Sequence, residues 1–206
     1  MIFITDDFVD GNRYKLKQSL VLIEELRDVA PMYYVTGNQE IATNDSDHIK
    51  EELLKLDVRV LTDEVEIITG LGDDEIAIGG IEDPLASFLD EEEAIEKSIA
   101  NAFEKVPNKM FKILLSHRPE FFNNYADNEI NITFSGHAHG GQFRIPGIGG
   151  VLAPGQGFLP KLTSGVHEKD GNHLVISRGL GNSMFPFRLF NNPEIVVVKL
   201  KNAQIK

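Results

Sequence analysis

The sequence predicts an α/β fold in which two packed sheets are flanked by helices. In the first half of the chain, segments with helical periodicity alternate with short runs of β-branched and aliphatic residues. In the second half, strand-like runs are separated by turns rich in glycine and proline. The chain has 206 residues, of which 42% are hydrophobic, so residues 1–206 are expected to bury one sizeable core as a single domain.

Three helices are predicted from apolar residues that recur at intervals of three or four. They span residues 12–29, 45–56 and 90–103. Asn12 is a candidate N-cap for the first helix. Asp90 and Glu93 give the third a start that resembles a capping box.

Strands are predicted where short apolar or alternating runs lie between turn residues. These strands comprise residues 58–61, 65–69, 75–80, 173–177 and 195–200. A polar turn precedes the fourth of them, which indicates a hairpin at that place.

Four further strands are each followed at once by polar side chains of types that bind metal ions. Asp7 follows the first strand of the chain, Asn38 the second and His117 the third. The fourth leads into the run Ser-Gly-His-Ala-His-Gly-Gly, in which one residue separates His137 from His139, so that both imidazoles point to one side. Because sites form at the carboxyl ends of strands in α/β sheets, these side chains predict one composite metal centre.

Each of these residues also has a simpler interpretation. Asp7 fits a solvated turn, and Asn38 fits a left-handed turn after a glycine. His117 would then merely end a strand, and His137 and His139 would lie on a surface loop. The ordered occurrence of all five favours the metal centre.

The order Gly-Asp, Gly-Asn-His-Glu, His and Gly-His-x-His resembles the calcineurin-like metallophosphoesterases over nearly the whole chain. Residues 140–150, 153–158 and 177–183 are similar to a bacterial branch that acts at or near membranes, some members of which are implicated in the hydrolysis of phospholipids or lipid A precursors. The resemblance implies a four-layer α/β/β/α sandwich and metal-dependent hydrolysis of phosphoric esters.

The resemblance also implies the role of each metal-type residue. Asp7 would bridge two metal ions, while Asn38, His117 and His137 complete the site of one of them. His139 would belong to the other ion. A mixed set of nitrogen and oxygen donors is compatible with manganese, iron, zinc or nickel.

Three departures from the family pattern change what we expect. The family's first motif, Asp-x-His, is not found, so we expect the sandwich to lack its first strand, one sheet to contain a gap, and the second metal site to be incomplete. Gln39 stands where the family has a histidine that contacts the phosphate and assists the leaving group, and glutamine cannot titrate. Asp6 stands where the family usually has glycine.

Two functions therefore stay open: a hydrolase of phosphoric mono- or diesters, and a catalytically degenerate remnant that binds metal without turnover. In a hydrolase, Asn38 and Gln39 would act on the substrate. Arg178 and Arg188 are candidate phosphate contacts, because guanidinium groups form fork-like hydrogen bonds to phosphate, although surface ion pairs explain them equally well.

Composition limits the partners. A net charge of −12 argues against nucleic acid, but it does not argue against a phosphate ester, because a bound dication dominates the local field. The apolar segment 184–190 is either core or a groove for an acyl chain or a membrane surface. With no signal peptide and no apolar run of the ~20 residues that span a bilayer, we expect a cytoplasmic or peripheral membrane location, and the oligomeric state stays open.

Overall fold

The computed structural model describes residues 1–70, 74–182 and 187–201 of the chain. The first part alternates strands and helices: β1 (Ile2–Ile4), α1 (Leu16–Leu26), β2 (Met32–Tyr34), α2 (Asn38–Ala42), α3 (Ser46–Lys55) and β3 (Arg59–Val60). Its three strands form a parallel sheet, the first sheet, in the order β1-β2-β3. One face of this sheet packs against α1 and α3 through a buried cluster that includes Ile23, Tyr34, Ile49 and Leu53.

The first helix is shorter than predicted, and Asn12 does not cap it. Asp10 Oδ1 accepts a hydrogen bond from the Asn12 backbone N–H (2.8 Å), which holds this segment in a local turn. The helix therefore begins only after Lys15 and ends at Leu26.

The remainder of the chain forms a second sheet, its helices and several short hairpins. The elements up to the His-x-His run are β4 (Glu64–Thr69), β5 (Glu75–Gly80), α4 (Glu91–Phe103), β6 (Phe111–Leu115), α5 (Phe122–Asp127) and β7 (Ile132–Ser135). The later strands are β8 (Arg144–Ile145), β9 (Gly149–Gly150), β10 (Leu152–Ala153), β11 (Gly157–Phe158), β12 (Gly165–Lys169) and β13 (Asn172–Ile176). Six strands form the second sheet in the order β12-β13-β7-β6-β5-β4, parallel in the middle and antiparallel at both ends.

Alternation along β6 shows how the layers are built. Ile113 and Leu115 point into a cluster shared with Tyr33 and Val35 of the first-sheet region, whereas Leu114 points into a cluster with α4 and α5. The layers therefore run α/β/β/α, which confirms the expected sandwich. Asp90 caps α4 as predicted, since its carboxylate accepts the N–H of the third helical residue at 3.0 Å.

Two expectations about strands are wrong. The strands of the first sheet pair consecutively with β1 at an edge, so no gap interrupts that sheet. Residues 195–200 show the apolar alternation that predicted a strand, but they join no ladder among the described residues, and a strand requires hydrogen bonds to a neighbour. Within the described ranges, none of the helices is long and apolar enough to cross a bilayer.

Candidate metal centre

The polar residues predicted at the four strand ends meet at one place. His117 Nε2 lies 3.0 Å from Asn38 Oδ1, 3.5 Å from Asp7 Oδ1 and 2.8 Å from His137 Nδ1. Asp7, Asn38, His117 and His137, here called the first donor set, thus direct their nitrogen and oxygen atoms at one small volume. Both imidazoles are almost fully buried.

The tautomer of His117 suits a metal ligand. Its Nδ1 lies 3.0 Å from the Thr5 carbonyl oxygen, which can only accept, so Nδ1 carries the proton. Nε2 faces the oxygen atoms of Asp7 and Asn38 and the Nδ1 of His137, and it would offer its lone pair to a cation held among them. A backbone carbonyl behind a ligating histidine commonly fixes both the tautomer and the ring orientation.

Burial governs the charges of this set. It raises the pKa of Asp7 to about 6, an effect that His117 opposes and Asp6 reinforces. Burial also lowers the pKa of His137, and the adjacent His117 adds to this, so His137 is neutral. For His117, burial acts to lower the pKa, but Asp7 and Asp6 outweigh it and the pKa is raised. The donors, which are two imidazoles, a carboxylate and an amide oxygen, fit a divalent transition metal.

Glu40, whose function the sequence did not reveal, holds two of the ligand-bearing loops together. Its buried carboxylate accepts hydrogen bonds from the backbone N–H groups of Phe8 (2.8 Å) and Val9 (3.0 Å) and from that of Gly37 (2.7 Å). It thereby joins the segment after β1 to the first turn of α2. Burial raises its pKa to about 7, with the nearby charge of Asp7 as the next cause.

The approach of the loops also requires Gly37. A Cβ at this position would overlap Asp7 Oδ1 and lie 3.0 Å from a ring carbon of His117. Asp7 Oδ1 in turn accepts the backbone N–H of Gln39 at 3.0 Å. Any larger residue at position 37 would displace the shared carboxylate.

The two histidines of the His-x-His run lie in different groups of donor atoms. Ala138 points into the core, while His137 and His139 both adopt left-handed backbone conformations, with φ of 62° and 46°. His137 joins the first donor set. His139 lies with Asp6 and Asp7, here called the second donor set, whose donor atoms all lie within 4.8 Å of one another. Asp7 belongs to both sets.

A buried carboxylate lies behind His137. Glu120 Oε1 is 3.8 Å from His137 Nε2, and within the described residues both His137 Nε2 and Glu120 Oε2 are buried without a hydrogen-bond partner. Glu120 also lies 3.4 Å from Arg118, which forms a two-pronged ion pair with Asp83. The sequence offered one signal for Glu120, its position three residues after a ligand-type histidine.

Gln39 lies at the rim rather than among the donors. Its Oε1 accepts the backbone N–H of Gly11 at 3.1 Å, which directs this oxygen away from the metal-type residues. The side-chain NH₂ is therefore the end that is left to donate to a ligand.

The two predicted phosphate-binding arginines differ in their surroundings. Arg178 forms an ion pair with Glu194 at 3.4 Å, as the simpler interpretation held. Arg188 donates a hydrogen bond through Nε to the Gly181 carbonyl (2.9 Å). Its guanidinium group also lies near Asp6. A Cβ placed on Gly179 would overlap Asp6 Oδ2 and would lie 3.9 Å from Arg188 Nη2, so Gly179 adjoins both side chains. Of the two, Arg188 is the one beside the candidate centre.

The apolar segment 184–190 is described only in part. Phe185 lies outside the described residues. Phe187, Leu189 and Phe190 have exposed fractions of 60%, 52% and 68%, so the described part is surface rather than core.

No model of a known protein family matches the chain. YkuE of Bacillus subtilis, named an uncharacterized metallophosphoesterase, is 34% identical over 99 residues, which cover 48% of this chain and 34% of that protein. An uncharacterized metallophosphoesterase of Aquifex aeolicus is 28% identical over 98% of this chain and 72% of its own length. Phosphodiesterase YaeI of Escherichia coli is 24% identical over 87% of this chain and 62% of its own length. The matched regions thus cover between about a third and about seven-tenths of the length of each of these relatives.

The fold and the donor sets define an α/β/β/α protein with a candidate metal centre at the carboxyl ends of its strands. The chain is a relative of the metallophosphoesterases, which confirms the resemblance to the calcineurin-like family.

Proposed function

We propose that the protein is a metal-dependent hydrolase of phosphoric esters. The observation that carries this proposal is the convergence of Asp7, Asn38, His117 and His137, whose donor atoms lie together around His117 Nε2. Divalent ions at such a centre supply a Lewis acid and an activated water for displacement at phosphorus. The mixed donor set favours manganese, iron, zinc or nickel.

The protein's own residues hold and orient the substrate in this proposal. Arg188, beside the second donor set, is positioned to bind a non-bridging phosphate oxygen. Asn38 and Gln39 lie at the start of α2, where the Gln39 amide can donate a hydrogen bond to the leaving oxygen but cannot protonate it. We therefore expect esters with acidic leaving groups to react faster than alkyl esters.

The relatives and the surface next to Arg188 support a diester with an apolar part as the substrate. One relative is named a phosphodiesterase, and the others are named metallophosphoesterases. Phe187, Leu189 and Phe190 expose apolar surface on either side of the guanidinium-bearing residue. A lipid-linked phosphodiester combines the charge and the apolar group that such a surface would bind.

A second candidate is a metal-binding protein without turnover. The observation that favours it is Gln39, because a group that cannot titrate stands at the leaving-group position. The two candidates predict the same metal binding and differ only in hydrolysis.

Hydrolysis by the metal-loaded protein distinguishes them. The protein is stripped with a chelator, reloaded with Mn²⁺ or Zn²⁺, and assayed with p-nitrophenyl phosphate and bis-p-nitrophenyl phosphate. We expect turnover of the diester that His117→Ala abolishes and that His173→Ala, at a partly exposed position of β13, leaves unchanged. If the reloaded protein contains metal but hydrolyses neither ester, the second candidate, a metal-binding protein without turnover, is favoured.

A further inference from the structure

We propose that Asp6 is a ligand for a second divalent cation, which Asp6, Asp7 and His139 hold together. The family pattern has glycine at this position, so the resemblance gives Asp6 no role. The inference deepens the proposed function and rests on it only for the use of the second cation in hydrolysis, not for the binding itself.

The Asp6 carboxylate is fixed in place by its backbone neighbours. Oδ1 accepts the N–H of Asp7 at 3.1 Å and the N–H of His137 at 3.0 Å. Oδ2 lies close to Gly179, a glycine with φ of 71°, where a Cβ would overlap it. A carboxylate held by one oxygen needs no reorganisation before the other oxygen binds a cation.

His139 supplies the nitrogen donor. Its Nδ1 is buried and has no hydrogen-bond partner among the described residues, although a buried polar atom normally has one. Its backbone is held by Asn191, a buried side chain that donates to the His139 carbonyl at 2.6 Å.

The charge of the second donor set also calls for a cation. Two carboxylates and an imidazole lie with their donor atoms within 4.8 Å of one another. Asp7 belongs to both donor sets, so its carboxylate would be available to a cation in either of them. Two carboxylates and one imidazole form an oxygen-rich set, which suits Mn²⁺ better than a softer ion.

The second donor set offers three protein ligands, and Asp6 and Asp7 are only partly buried. Three ligands leave coordination positions for water or for a substrate oxygen. Arg188 approaches from the same side, next to Asp6 and Gly179. A phosphate bound there would be reached by the cation and the guanidinium at once.

The test is Mn²⁺ binding by the chelator-stripped protein, measured by titration calorimetry and by elemental analysis after desalting. We expect two ions per chain for the unaltered protein and one for Asp6→Asn, which keeps the Oδ1 acceptor and removes the charge. Asp10→Asn is the matched control, because it neutralises a carboxylate in the same loop that belongs to neither donor set, and it should keep two ions.

His139→Ala tests the same cation from the opposite side and should also leave one ion. Thermal melts in chelator establish that each variant is folded. One ion in the unaltered protein, or two ions with unchanged affinity in both Asp6→Asn and His139→Ala, would overturn the proposal while leaving hydrolysis by the first donor set untouched. Conversely, two ions without hydrolysis would remove the proposed function and leave Asp6 a ligand.

Discussion

The two donor sets share Asp7 but differ in how they are built. The first draws on both sheets and is nearly closed to solvent, with His117 and His137 almost fully buried. The second consists of two adjacent carboxylates and one histidine, and it is partly open. We therefore expect the first set to prefer metals that bind nitrogen and the second to leave room for a substrate. Because Asp7 is shared, we also expect the occupancy of each set to depend on the other.

The largest effect is expected from the shared residue. Asp7→Asn removes the carboxylate of the first donor set and one of the two carboxylates of the second, so we expect the binding of both ions to be lost or strongly weakened. Turnover should fall by at least roughly 10³-fold, or about 4 kcal/mol of transition-state stabilisation. Elemental analysis and diester hydrolysis measure the two losses, with Asp10→Asn as the control. Full occupancy of both sets in Asp7→Asn would contradict the shared role.

Glu120 should affect the first donor set alone. We expect its carboxylate to accept a hydrogen bond from His137 Nε2 when Nδ1 binds a metal, closing the 3.8 Å separation. Glu120→Leu should then weaken the binding of a cation to the first donor set by about 10- to 100-fold. Glu120→Gln keeps a hydrogen-bond acceptor and should weaken this binding by less.

The readout for Glu120 is the Zn²⁺ dissociation constant, measured with a competing chelator. Glu91→Gln is the control, because Glu91 also lies near Arg118 (3.7 Å) but does not contact His137. If Glu120→Leu and Glu91→Gln lower the melting temperature equally and leave the affinity unchanged, Glu120 serves only the ion pair with Arg118.

The sequence predicted the fold and the first donor set because both follow from local patterns. Strand ends carry Asp7, Asn38, His117 and His137, and parallel strands bring their carboxyl ends to one edge. What it could not predict depends on contacts between distant segments. From the sequence alone Glu40 is an ordinary helix residue, and its role becomes evident only from the hydrogen bonds that it accepts from Phe8 and Val9.

The wrong predictions have the same origin. The apolar residues of segment 195–200 alternate as in a strand, but the sequence of the segment does not show whether another strand pairs with it. Asn12 reads as a cap, yet the side chain of Asp10 competes for the backbone and delays the helix. The sequence did not predict that Asp6 joins Asp7 and His139, because this grouping depends on the left-handed conformations of the His-x-His run, which alternation along a strand does not indicate.

The contribution of Asp7 to the pH dependence of stability should change sign with metal. Burial raises the pKa of Asp7 to about 6 and that of Glu40 to about 7, both above their unfolded values, so these two carboxyl groups bind more protons in the folded apoprotein than in the unfolded chain. Their contribution to the free energy of unfolding therefore falls as pH rises through about 4 to 7, by about 3 kcal/mol for Asp7, whereas His137 and His139, whose pKa burial lowers, contribute in the opposite direction. We expect the melting temperature of the apoprotein, relative to that of Asp7→Asn, to be higher at about pH 5 than at about pH 7.5.

A loaded cation replaces the proton, so the metal-bound protein should show the opposite trend over the same range. Thermal melts with chelator and with Mn²⁺ at the two pH values measure this. Asp7→Asn should remove the Asp7 part of the pH dependence of the apoprotein and leave the parts that are due to Glu40 and to the buried histidines. Equal slopes with and without metal would mean that Asp7 does not bind the cation.

The smallest effect is expected at Gln39, which belongs to neither donor set. Gln39→His introduces a group that can protonate a leaving oxygen, so alkyl phosphodiesters should react faster, by about tenfold. Esters of p-nitrophenol, whose leaving group needs no proton, should react at an unchanged rate. Gln39→Ala is the control, since it removes the hydrogen bond to the Gly11 N–H without adding an acid. A gain confined to the alkyl ester would show that only proton donation limits this centre, whereas no gain on either ester would place the limit in the donor sets themselves.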